Sequence, residues 1–220
     1  MYLPSYCERI SYEGIGEPIN VVSNFFFLLA GFLIWRKFKE HLHKLTFFDQ
    51  VLLKGLIGLV VLIGLGSGIW HYWATEWAVW LDVLPILGFI VTFLIFNLFR
   101  LFTFSLMGTI VGVLGYFVLD YLVVKSVGSD FLNGSSSYFA AWVSLFLMGL
   151  YSYRRVSPEL GKGYLFSVLL LTLSLVFRSV DLEICSSFPW GTHFLWHTCN
   201  AWLLYLLVNH LGDFLVAKKV

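Results

Sequence analysis

Two histidines four residues apart, His193 and His197, open a long apolar run near the carboxyl end of the chain. Side chains at that spacing share a helical face, so both imidazoles can grip one metal ion. An isolated pair of this kind is equally well explained by hydrogen bonding near a membrane interface, although ionisable residues within spans are functional candidates by default. A third imidazole, His71, stands one helical turn after Ser67, and two carboxylates, Asp82 and Asp181, fall close to other apolar segments. Three histidines are what a catalytic zinc takes, leaving a fourth position for water, whose pKa then falls to about 7. Asp82 is the candidate general base that takes a proton from that water and returns it to a leaving group. Ser67 is the candidate donor to a developing oxyanion. Asp181 either orients a ligand histidine or caps a loop. Taken singly, Ser67 reads as a packing residue in a glycine-rich helix, and Asp82 as a carboxylate placed favourably at a helix start. Only the combination points to hydrolysis.

The elements that position these groups are apolar helices. Hydrophobic residues make up 59% of the 220 and charged residues 12%, with mean hydropathy +0.84, which excludes an ordinary soluble domain and implies an integral membrane protein. A net charge of +1 gives no sign of a nucleic-acid partner. The first sixteen residues are polar or mixed and lack the basic-then-apolar order of a cleavable signal, so the first span is expected to remain in place. Seven spans are predicted, over about 19–35, 51–72, 83–99, 104–124, 138–153, 164–180 and 192–216, each near the length that crosses ~30 Å of hydrocarbon. The predicted architecture is an all-α bundle of seven transmembrane helices (17–220) behind a short head (1–16). Gly55, Gly58, Gly64 and Gly68 in the second span, and Gly108, Gly112 and Gly115 in the fourth, have the spacing of close helix packing.

Arg36, Lys37, Lys39 and Lys44 follow the first span, Arg100 the third, Arg154, Arg155 and Lys162 the fifth, and Lys218 and Lys219 the last. The positive-inside rule therefore puts the amino terminus and the histidine cluster on the non-cytoplasmic side and the carboxyl terminus in the cytoplasm. Bacterial inner membrane and ER or Golgi membrane fit equally well. His41, His43 and His210 fall at the opposite end, away from the cluster. Asn133 to Ser137 reads as a flexible outer loop, and Asn133-Gly134-Ser135 matches a glycosylation sequon. Cys199, inside the last span, reads as a buried thiol.

The order Ser67-x3-His71, Asp82 with Leu84-Pro85, Asp181-x3-Cys185 and His193-x2-Trp196-His197 resembles the alkaline ceramidases. These belong to a wider group of seven-helix membrane hydrolases that includes the adiponectin and progestin receptors and the GPI-remodelling lipases. Cys7-Glu8 followed by Glu17-x2-Asn20-x2-Ser23-Asn24 is similar to that family's amino-terminal signature. The resemblance implies zinc ligation by His71, His193 and His197, catalysis by Asp82 with Ser67 beside the metal, and a disulfide between Cys7 and Cys185. It also implies a calcium site in the head. Glu8 and Glu17 match its ligands, but Ser5 and Ile10 stand where an aspartate and an asparagine are expected. Calcium wants several oxygens, so the site is either lost or rebuilt, with Glu13 the obvious substitute. The resulting expectation is a zinc-dependent amidohydrolase that cleaves a ceramide or related N-acyl lipid drawn from the bilayer. The alternatives are an ester-cleaving lipase of the GPI-remodelling type and a seven-helix receptor with a structural metal. Three ligands rather than four favour an open, catalytic site.

Overall fold

The computed structural model describes residues 6–9 and 15–218. All regular structure among them is helical: α1 (Pro18–Ser23), α2 (Phe25–Phe38), α3 (Phe47–Trp73), α4 (Glu76–Ile95), α5 (Leu106–Val127), α6 (Phe139–Arg155), α7 (Pro158–Val180) and α8 (His193–Ala217). Among the described residues six segments are long and apolar enough to cross a membrane, α1 and α2 together making the first. The remaining long helix, α6, has 17 residues. α3 lies along α4, α7 sits between α6 and α8, and α2 packs on both α3 and α8.

The helix starts are written locally. Thr46, Ser105 and Ser157 accept hydrogen bonds from the backbone N–H groups of Asp49, Gly108 and Leu160, satisfying donors that the first turn leaves without intrahelical partners. α3 ends where Ala74 turns into the left-handed region at φ 47°, and this tight exit brings α4 straight back alongside it. The ends of α3 and α4 carry exposed Trp73, Trp77 and Trp80, amphipathic rings suited to a membrane–water interface.

α4 begins at Glu76, earlier than the sequence suggested, and contains Pro85 in its interior. Asp82 therefore lies in the second turn of α4 rather than at its start, so the helix dipole does not account for it. The glycine expectation is met only in part. A Cβ on Gly64 would press on Phe27, and one on Gly112 on Leu98, whereas Gly55, Gly58 and Gly115 face open space. The closest approach is at a glycine outside the expected pattern. A Cβ on Gly66 would run into the Leu81 carbonyl, so this glycine sets how near α3 comes to α4, one residue before Ser67 and Asp82 respectively.

Candidate metal centre and lipid cavity

α3 ends with His71 and α8 begins with His193 and His197, and both termini meet at one end of the bundle. The three imidazoles are buried, and each offers a ring nitrogen within 4.8 Å of the other two. The Nε2 atoms of His71 and His197 lie 3.1 Å apart. A tetrahedral ion with Zn–N bonds of 2.0–2.1 Å separates its ligand nitrogens by roughly 3.3 Å, so the cluster has the right dimensions for zinc.

The partners on the far side of each ring decide what those nitrogens carry. His71 Nδ1 is hydrogen-bonded to the Glu17 carboxylate. Burial pushes the Glu17 carboxyl up, but the His71 hydrogen bond and charge, the Asn20 amide and the Arg9 guanidinium outweigh it and hold it below the usual glutamate range. The Glu17 carboxylate is placed to accept from His71 Nδ1–H, while Nε2 faces the cluster. His197 Nδ1 faces Ser23 Oγ at 2.7 Å. The Ser23 hydroxyl already donates to the Asn20 carbonyl at 2.9 Å, so its oxygen is placed to accept from His197 Nδ1–H. The two Nε2 atoms therefore point at each other across 3.1 Å, a spacing at which a shared cation can replace the contact. His193 is oriented differently, by a Tyr6 ring stacked on it at 3.7 Å between centroids.

Asp181 resolves to the capping role. Its Oδ1 accepts from the backbone N–H groups of Thr192 (2.6 Å) and His193 (2.9 Å), and Oδ2 accepts from Cys7 N at 3.1 Å. It caps α8, holding the helix that carries two of the histidines, and touches neither imidazole through its side chain. Gly191, at φ 63°, passes so close to this carboxylate that a Cβ would strike it. Cys7 and Cys185 form a disulfide with Cα atoms 5.3 Å apart, which ties the head to the loop before α8.

The head does not offer a calcium cage among the described residues. Glu8 accepts from the N–H groups of Ile19 (2.6 Å) and Asn20 (2.8 Å) at the start of α1. Burial nevertheless raises its carboxyl above the ordinary range. Glu17 is taken by Arg9 at 2.5 Å, by Asn20 at 3.0 Å and by His71. Arg9 also donates to the His71 carbonyl at 2.7 Å, so a guanidinium already balances this carboxylate. Glu13, Ser5 and Ile10 lie outside the described residues.

A cavity of about 110 Å³ runs from the histidines into the bundle. Ser67, Asp82, His193 and His197 line the polar end, while Phe89, Phe93, Met148, Leu171, Leu203 and Leu207 line the depth. Ser67 and Asp82 face this polar end from α3 and α4. All five proposed zinc and catalytic residues are thereby brought to one place.

Other expectations need correction. The 133–137 segment is a short helical turn in which Ser135 and Ser136 are buried and the Asn133 amide donates to the Arg178 carbonyl at 3.1 Å. It is a packed element, and the sequon asparagine is engaged. Cys199 is half-buried. Sequence reasoning did not give roles to Tyr6, Arg9, Ser23, Gly66 and Arg178. A signal was present for Ser23: Glu17, Asn20 and Ser23 recur every third residue at the head of an apolar span, and polar groups at that depth need partners. No protein-family model matches the chain, and no curated protein matches it in sequence.

Proposed function

We propose that the chain is a seven-helix, zinc-dependent lipid amidase of the alkaline ceramidase kind, cleaving the N-acyl amide of a ceramide or related long-chain lipid. The observation that carries this reading is the meeting of two Nε2 atoms 3.1 Å apart, with a third histidine nitrogen in reach, at the head of an apolar cavity. His71, His193 and His197 would hold the metal. Zinc there would lower the pKa of water and polarise an amide carbonyl.

The chain's own residues supply the rest. The apolar depth of the cavity receives an acyl chain from between the helices and excludes water along its length. Asp82 takes a proton on its carboxylate and passes it to the leaving nitrogen, completing the break of the C–N bond. The Ser67 hydroxyl turns to the amide oxygen as negative charge gathers there. Glu17 and Ser23 keep the Nδ1 protons in place, so that both Nε2 atoms stay free to bind.

In this reading α6 is the seventh span. Its 17 residues reach roughly 26 Å at 1.5 Å each, close to the ~30 Å of hydrocarbon, and the turn Ser135–Tyr138 extends it. The basic residues at the opposite end of the bundle from the histidines put the site and the disulfide on the non-cytoplasmic side. The test is purified protein assayed for zinc content and for fatty acid release from ceramide, with a phospholipid in parallel. His71→Ala is expected to lose both metal and hydrolysis. Full ceramide hydrolysis by metal-free protein would end the proposal, and release from the phospholipid alone would reassign the bond to an ester.

A further inference from the structure

Arg178 has no part in the chemistry above, yet it lines the same cavity. It lies on the last turn of α7, at the level of the histidines. Its guanidinium carbon sits 5.6 Å from the centre of the Tyr138 ring and 5.3 Å from that of Trp196, so aromatic faces flank it. Nη1 stands 3.5 Å from the Tyr6 hydroxyl, and Tyr6 in turn stacks on His193. Behind it, the Asn133 amide holds its carbonyl.

What this guanidinium lacks is an anion. Among the described residues no carboxylate forms an ion pair with it, and its Nε, shut away from solvent, has no hydrogen-bond partner. Phenols are neutral at ordinary pH, so neither the Tyr138 nor the Tyr6 ring supplies a negative charge. Asp82 lines the same cavity but forms no ion pair with it. Arg178 is half-buried, a guanidinium keeps its proton, and its enclosed Nε is a donor that costs free energy while unpartnered.

We propose that Arg178 is the recognition point for a carboxylate on the amine side of the substrate, so that the preferred substrate is a long-chain N-acyl amino acid. This rests on the amidase reading. The apolar arm of the cavity, at Phe93, Met148 and Leu207, runs deeper into the bundle than Arg178 and takes the acyl chain. The group left at the guanidinium is then the one on the other side of the amide. A planar, forked donor flanked by two rings suits a planar carboxylate. Hydrolysis adds the water oxygen to the acyl carbon and its proton to the nitrogen, releasing a fatty acid and a free amino acid.

The experiment compares N-palmitoylglycine with N-palmitoylethanolamine and ceramide on the purified, zinc-loaded protein. The glycine conjugate is expected to be cleaved with kcat/KM about thirtyfold or more above the ethanolamine conjugate, the scale of losing one partner of a buried charge pair. Arg178→Gln is expected to erase that preference, and Arg178→Lys, which keeps the charge without the fork, to retain part of it. Binding is read independently, as protection of chelator-treated protein against thermal unfolding by N-palmitoylglycine, with palmitate as the second carboxylate source. Equal rates for the two conjugates, or a preference that survives Arg178→Gln, overturns the proposal. Protection by palmitate as strong as by N-palmitoylglycine places the anion on the acyl product and overturns it too. If no amide is cleaved and no zinc is held, the amidase reading falls, and the binding comparison still judges Arg178.

Discussion

Ser23→Ala removes an oxygen that accepts from His197 Nδ1–H, in a position where Ser23 is 4% exposed and His197 2%. Water does not replace the lost acceptor at such burial. An unsatisfied buried donor costs about 1–3 kcal/mol, which is roughly 5- to 150-fold in an equilibrium constant. Removing the outer partner of a metal-binding histidine typically weakens metal affinity 10- to 100-fold, and the two ranges agree. The expected result is therefore zinc affinity lowered by about one to two orders of magnitude, measured by chelator competition in detergent. Ceramide hydrolysis should return toward the unmodified rate when zinc is saturating. Ser23→Thr retains a hydroxyl and is expected to recover most of the affinity. Unchanged affinity in Ser23→Ala would refute the assignment of the proton to Nδ1. A threonine variant as weak as the alanine one would show that packing, not the hydrogen bond, was lost.

Gly66→Ala is expected to push α4 away at Leu81 and destabilise the protein by about 1–3 kcal/mol through overpacking, displacing Asp82 and lowering kcat. Gly58→Ala, which meets nothing within 4 Å, is expected to leave the melting temperature unchanged or raise it, since alanine is the better helix former. Asp82→Asn keeps the side chain's shape without its proton chemistry, and is expected to lower kcat about 10²- to 10⁴-fold while zinc content stays that of the unmodified protein. Cys7→Ser opens a link between residues 178 apart in sequence. It is expected to cost about 2–5 kcal/mol, seen as a lower melting temperature and faster proteolysis of the head.

Composition and spacing alone determined that this chain is helical and membrane-embedded, because continuous apolar runs have no other stable solution in lipid. They also pointed to the histidine cluster: the i, i+4 pair is a local feature of one helix, and His71 was recognisable by its place at the end of another span. What lay beyond sequence was every decision made between helices. The spacing could not tell whether Asp181 would orient an imidazole or cap a helix, since both need only a carboxylate near His193; the loop geometry at Gly191 settles it as a cap. Arg9, Ser23 and Arg178 acquire their roles from residues 62, 174 and 172 positions away. A side chain's partner across a bundle is fixed by how helices pack and rotate, and neither hydropathy nor periodicity carries that information. The cluster of three ring nitrogens within 4.8 Å of one another exists only once α3 and α8 have met.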